Sequence, residues 1–220
     1  MKTVVFDLDG TLADTSGDLL AAANATFAGL GLAPPLGTGD EGVALQGGRA
    51  MLRLGFARLG VTVDEAQIAG HYPALLAQYE KGIAVHSRLY DGAQTAVQTL
   101  RARGFACAIC TNKPTYLAET LITALGIRPL FGALIGAGSL SVVKPNPAPY
   151  LAAVAAVGGT ASFLIGDTVT DHETARAAGV PSVLVGFGPN GGSVAGLAPD
   201  AVLRHFDDLP DLAARLLGEA

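Results

Sequence analysis

No run of about 18 uninterrupted apolar residues occurs in the 220-residue chain, so nothing in it reads as a bilayer-spanning helix. Charge is also scarce. Only 15% of residues are charged, the formal net charge is −5, and there are four lysines: Lys2, Lys81, Lys113 and Lys144. A mildly acidic chain of this kind has no general affinity for nucleic acid or for anionic membranes. Its start, MKTVVFDLDG, turns acidic before any long apolar stretch and does not read as a signal peptide. A soluble cytoplasmic protein is therefore expected. There is no low-complexity tail and no sheet–helix repeat of fixed period. Only two cysteines occur, Cys107 and Cys110, spelling CxxC inside the apolar run FACAIC. Their odd separation puts them on opposite faces of a strand, and no second Cys or His pair accompanies them. They read as core residues rather than as a redox pair or half a zinc site. The sequon NAT (24–26) lies in a helical pattern of a chain without an export signal and is discounted.

What is present is a hydrophobic half, 50% of the chain, enough for a sizeable core. Apolar runs recur at 4–6, 105–110, 133–137, 162–166, 181–186 and 201–203. Helical segments alternate with them near 92–103, 114–125, 147–157, 169–178 and 207–217. Strands that are apolar throughout, alternating with helices, imply a Rossmann-like α/β fold: a parallel sheet covered by helices on both faces. Residues 15–85 break the rhythm with helical patterns only. Leu20, Ala23, Phe27 and Leu30 repeat at helical spacing, as do Leu52, Phe56 and Leu59, then Ile68, Tyr72, Leu75 and Tyr79. The expected organisation is a core of 1–14 and 86–220 with an inserted α-helical domain of 15–85.

Polar residues gather where the strands end. The first strand runs into Asp7-Leu8-Asp9-Gly10-Thr11. Residues two apart on an extended segment face the same side, so both carboxylates leave the strand together. Gly10 permits a sharp turn or a close approach. Two such carboxylates can divide nucleophilic attack from proton transfer, or bind a hard cation such as Mg²⁺. A plain turn or a calcium loop are the structural alternatives. Thr111 and Asn112 end the next core strand, and Pro114 reads as the first residue of a helix. A hydroxyl and N–H groups there suit phosphate. Lys144 precedes Pro145, Asn146 and Pro147, where Asn146 reads as a helix cap and Lys144 as a fixed point charge. In Gly166-Asp167-Thr168-Val169-Thr170-Asp171, both acids are candidate metal ligands, although Thr168 and Asp171 also fit a capping box. The summed chemistry is that of phosphoryl transfer.

These motifs, DLDGT (7–11), ICTN (109–112), Lys144 and GDTVTD (166–171), resemble in order those of the haloacid dehalogenase superfamily of phosphatases. The closest branch is the phosphoglycolate phosphatase-like one, and the resemblance covers nearly the whole chain. It implies that Asp7 is the nucleophile and Asp9 the acid and base. It further implies that Gly10, Thr11, Thr111, Asn112 and Lys144 bind the phosphoryl group. Mg²⁺ would be held by Asp7, Asp9 (through its carbonyl oxygen), Asp167 and Asp171. Asp9 argues against dehalogenase and phosphonate-cleaving relatives, which lack the second Asp. Thr11 argues against the sugar phosphomutases, which usually carry Val there. Residues 15–85 take the position of the family's helical cap, in which QGGRAM (46–51) resembles a substrate loop. Gly47, Gly48 and Arg49 are then candidate substrate contacts, with Arg53 a weaker one. GFGPNGG (186–192) reads as a loop bordering the site. The expected partner is a small phosphorylated metabolite, met by a monomer or homodimer. A phosphoacceptor signalling receiver and a non-catalytic binding module are the competing classes.

Overall fold

A computed structural model describes residues 1–192 and 194–219. The chain divides into two compact units, Met1–Asp14 with the chain from Leu89 onward, and Thr15–Arg88.

The first unit is built on six strands: β1 (Lys2–Phe6), β2 (Ala106–Pro114), β3 (Ala133–Ala137), β4 (Ala161–Gly166), β5 (Ser182–Val185) and β6 (Ala201–Leu203). They form one parallel sheet in the order β3-β2-β1-β4-β5-β6. Every run expected to be a strand is one. The second unit holds helices α1 (Ser16–Gly29), α2 (Glu41–Leu45), α3 (Gly48–Arg58) and α4 (Glu65–Lys81). The first holds α5 (Ala93–Ala102), α6 (Thr115–Ala124), α7 (Ala148–Ala156), α8 (Val169–Ala178) and α9 (Leu209–Leu217).

β1 is apolar on both faces because it lies mid-sheet, with Val5 opposite Ala108 on one side and Leu164 on the other. Val5, Ala108, Cys110 and Leu164 pack on Tyr150 and Ala153 of α7 and Ala175 of α8. Alternate residues face the other way, where Phe6 meets Phe131 edge-on at 5.9 Å and α5 packs with α9. Cys107 and Cys110 are buried and unbridged, as core residues should be. Burial pushes both thiols up to about 12, so they stay protonated.

Strand order positions the site. From β1 the chain steps outward to β2 and β3, then returns to β4 on the other side of β1. The carboxyl ends of β1 and β4 therefore flank the crevice where sheets of this kind take their ligands.

In the helical unit, Phe27 and Phe56 meet edge-on at 4.9 Å. A side chain at Gly55 would lie 2.3 Å from the Phe27 ring, so glycine there lets α3 approach α1. The stripe on α1 differs from the periodicity expected. Leu19, Ala22, Ala23 and Phe27 are buried, whereas Leu20 is half-buried and Leu30 exposed, because the helix stops at Gly29. Asp18 accepts from the His86 N–H at 2.7 Å and from the Ser87 N–H and hydroxyl at 3.0 and 2.6 Å. That ties residues 86 and 87 to α1, so the unit runs on to Arg88. Asn24 of the discounted sequon bonds the Leu36 backbone through both amide atoms, at 2.9 and 3.1 Å.

Candidate active site

β1 ends at Phe6, and the Asp7 N–H donates to the Ile165 carbonyl at 2.8 Å, so the Asp7 backbone remains tied to the end of β4. The chain then turns sharply. The N–H groups of Leu12 and Ala13 return to the Leu8 carbonyl, with Gly10 at φ +80°. A Cβ on Gly10 would lie 2.3 Å from Asp167 Oδ2, so the close approach its glycine permits is to Asp167.

Lys144 sits at the centre. Its ammonium is 2.8 Å from Asp7 Oδ1 and 2.6 Å from Asp171 Oδ1. Its backbone is fixed by Asn112, whose side chain accepts from the Lys144 N–H and donates to its carbonyl, both at 2.9 Å. Burial alone would lower the lysine's pKa, but the Asp171 and Asp7 charges outweigh it and hold the ammonium charged. Asp7 is pushed up to about 6, chiefly by burial, with Asp171 and Asp9 adding to the rise and Lys144 opposing it. Asp167 is also raised, by burial first and then by Asp171 and Asp7.

Carboxylate oxygens of Asp7, Asp167 and Asp171 lie within 4.8 Å of one another. Two lysines, Lys144 and Lys113, meet four carboxylates here (Asp7, Asp9, Asp167 and Asp171), so with all six groups charged the site is net negative. An all-oxygen, buried, net-negative donor set fits a hard divalent cation such as Mg²⁺.

Asp171 serves two masters. Its Oδ1 takes Lys144, while Oδ2 accepts from the Thr168 N–H at 3.1 Å, the Thr168 hydroxyl at 2.7 Å and the Asp167 N–H at 3.3 Å. The capping bonds and the contact with Lys144 therefore coexist on Asp171, with both of its oxygens engaged. Gly166 makes room for this, since a Cβ there would lie 2.3 Å from Asp171 Cβ.

Thr11, expected to contact phosphate, is fully buried and donates its hydroxyl to Asp167 Oδ1 at 3.2 Å. It braces a carboxylate because the tight turn after Asp9 points it inward. Pro114, expected to open a helix, still belongs to β2 and pairs with Ala137; α6 begins one residue later. Asn146 accepts from the Ala148 N–H at 2.9 Å, but the N-cap position of α7 falls on Pro147, one residue later than expected, and the helix begins at Ala148.

Gly47 precedes α3 at φ +103°, and a side chain on Gly48 would lie 2.9 Å from Tyr72 and 3.0 Å from Leu75. Arg49 lies over the Tyr72 ring at 5.3 Å, and Arg53 is held by Glu65 through two bonds of 2.7 and 2.6 Å. All of these are contacts within the helical unit.

Two residues had no role in the sequence reading. Lys113 donates to Asp9 Oδ1 at 2.9 Å and Oδ2 at 3.2 Å, and Asn190 donates to Asp167 Oδ2 at 3.1 Å. The scarcity of lysines was a usable signal for Lys113. For Asn190 there was only the Gly-rich loop, whose reading as a border of the site agrees with this bond.

The family model of haloacid dehalogenase-like hydrolases matches residues 1–179. The chain is similar to the phosphoglycolate phosphatase of Caulobacter vibrioides, 40% identical over 98% of this chain and 92% of that one. It is 36% identical to that of Cereibacter sphaeroides, over 99% of this chain and all of that one. The crystal structure of a predicted phosphoglycolate phosphatase from Haemophilus somnus superposes with a TM-score of 0.80 at 26% identity, over 96% of this chain and 97% of the other. With its acids and lysines gathered at the ends of a parallel sheet in the motif order of that family, the chain belongs to the haloacid dehalogenase-like hydrolases.

Proposed function

We propose that this enzyme hydrolyses a small phosphate monoester, 2-phosphoglycolate before others, in a Mg²⁺-dependent cytoplasmic reaction that passes through an aspartyl-phosphate on Asp7. The observation that carries the reading is the Lys144 ammonium shared between Asp7 and Asp171, with Asp167 beside them. A carboxylate nucleophile, a fixed cation and further acids at one strand-end crevice are the parts that phosphoryl transfer needs. The name shared by the relatives at 36–40% identity supports the substrate.

An Asp7 oxygen attacks phosphorus as the bond from phosphorus to the leaving oxygen breaks, and Asp9 gives that oxygen its proton. Water then attacks phosphorus, the bond to the Asp7 oxygen breaks, and Asp9 takes the water proton, restoring both residues. Lys144, the Thr111 hydroxyl and the Asn112 backbone N–H hold the phosphoryl oxygens, whereas the Gly10 N–H, expected among them, is taken by the Ala13 carbonyl at 2.9 Å. Asp7, Asp167 and the Asp9 carbonyl oxygen would hold Mg²⁺, which supplies Lewis acidity and charge neutralisation when bound. Asp171 acts by positioning Lys144, because both its oxygens are engaged within the protein. The helical unit serves as a cap, with Gly47, Gly48 and Arg49 offered to the substrate.

The test is phosphate release from a panel of monoesters with Mg²⁺ and with chelator. Mg²⁺-dependent turnover favouring 2-phosphoglycolate is expected. Preference for sugar phosphates or nucleotides would keep the chemistry and discard the substrate. No turnover of any ester would bring forward the receiver or binding-module readings.

A further inference from the structure

We infer that Lys113 selects the leaving group: its ammonium, beside Asp9, binds an anionic group on the carbon next to the ester oxygen of the leaving alcohol. This rests on the phosphatase reading above and deepens it.

The Lys113 side chain is only 4% exposed, and its ammonium donates to both oxygens of Asp9. Burying an ammonium is costly unless it meets anions. The backbone that carries it is closely held. The Lys113 N–H donates to Thr111 Oγ1 at 3.2 Å, and a Cβ on Gly136 of β3 would lie 2.7 Å from the Lys113 carbonyl oxygen, so the neighbouring strand backs it closely. Lys144 pairs with Asp7 and Asp171 on the nucleophile's side, and Lys113 pairs with Asp9.

Geometry links that cation to the leaving group. To pass a proton, Asp9 must come within about 2.6–3.2 Å of the leaving oxygen. The leaving oxygen and the Lys113 ammonium then share one neighbour, the Asp9 carboxyl. In a 2-phospho acid the carboxylate is joined to the leaving oxygen through a single carbon, so it falls within reach of the same ammonium. Orienting Asp9 needs no more than a neutral donor. A full positive charge there has its use in meeting a second anion, and it favours substrates whose leaving alcohol is itself an acid.

The experiment compares 2-phosphoglycolate with ethyl phosphate, a close match in shape whose leaving alcohol is uncharged, using wild type, Lys113→Met, Lys113→Arg and Arg49→Met. For Lys113→Met, kcat/KM on 2-phosphoglycolate should fall roughly 10- to 100-fold more than on ethyl phosphate, the range expected for one charge-assisted hydrogen bond. Lys113→Arg should recover part of the difference. Because both esters are read in the same variant, misfolding lowers both and cannot imitate the result. Equal losses on the two esters would make Lys113 only a positioning residue for Asp9 and overturn the inference. So would a preference that survives in Lys113→Met and vanishes in Arg49→Met. A wild type that turns over only esters with uncharged leaving groups also overturns it while leaving the phosphatase reading intact. A wild type inactive on every monoester ends both.

Discussion

The Lys144 ammonium lies 2.6 Å from Asp171 Oδ1, and both side chains are 2% exposed. A buried pair of this kind adds little stability over an apolar pair, but losing one partner strands the other, at about 3–5 kcal/mol. Lys144→Met should therefore both abolish turnover and lower the urea midpoint. Lys144→Met combined with Asp171→Asn should be less destabilised than the sum of the single variants. Additive losses in a double-mutant cycle would show that the pair is not energetically coupled.

Asp7→Asn should behave in the opposite way. Burial and neighbouring acids raise the Asp7 carboxyl to about 6, so its charge at neutral pH is a burden on the folded state. The amide variant should lose turnover yet melt no lower than wild type when both are held in chelator. A clear drop in Tm would mean that the ion pair with Lys144 outweighs the crowding of acids.

Mg²⁺ should stabilise the wild type, by about 2.7 kcal/mol at a concentration 100 times its Kd. Thermal melts with and without the ion read this directly. Asp167→Asn should lose most of that gain, since its carboxylate lies in the cluster with Asp7 and Asp171. An unchanged gain would remove Asp167 from the metal's ligands.

Gly10→Ala meets two obstacles at once: φ is +80°, and the new Cβ would lie 2.3 Å from Asp167 Oδ2. Strain of this kind costs about 1–3 kcal/mol. Activity should fall further than stability, because the group displaced is a site carboxylate. Denaturation and kinetics on the same preparation give both quantities.

In the helical unit, two bonds from Arg58 of 2.6 and 2.7 Å and one from the Gly37 N–H of 2.8 Å hold the Asp40 carboxyl below its ordinary range. A depressed folded-state pKa gives stability that is present above the unfolded value of about 3.9 and lost as pH falls through the folded one. Asp40→Asn should therefore flatten the acid limb of the stability profile. An unchanged acid limb would mean that the pair is screened by solvent.

The strands were legible because β1, β2 and β4 are buried on both faces and so carry unbroken apolar runs bounded by turns. Asp7 and Asp9 were legible as a pair because strand period places alternate residues on one side. Thr168 was legible as a cap because its capping-box partner, Asp171, lies three residues away. The α1 helix was legible in its period, but its buried face was not. Leu20 and Leu30 fit a helical period, but which residues at that period are buried depends on the neighbours α1 meets and on where it stops.

The sequence by itself determined the local pieces: parallel strands, their turns, and acids and lysines delivered at strand ends. It could not determine partners far apart in the chain. Lys113 meets Asp9 across 104 residues, Thr11 reaches Asp167 across 156, and Asn190 reaches Asp167 across 23. Those meetings follow from the order β3-β2-β1-β4-β5-β6, which brings the ends of β1, β2 and β4 side by side. Strand order is fixed by packing of the whole sheet rather than by any local pattern. It alone decided which acid each lysine would neutralise.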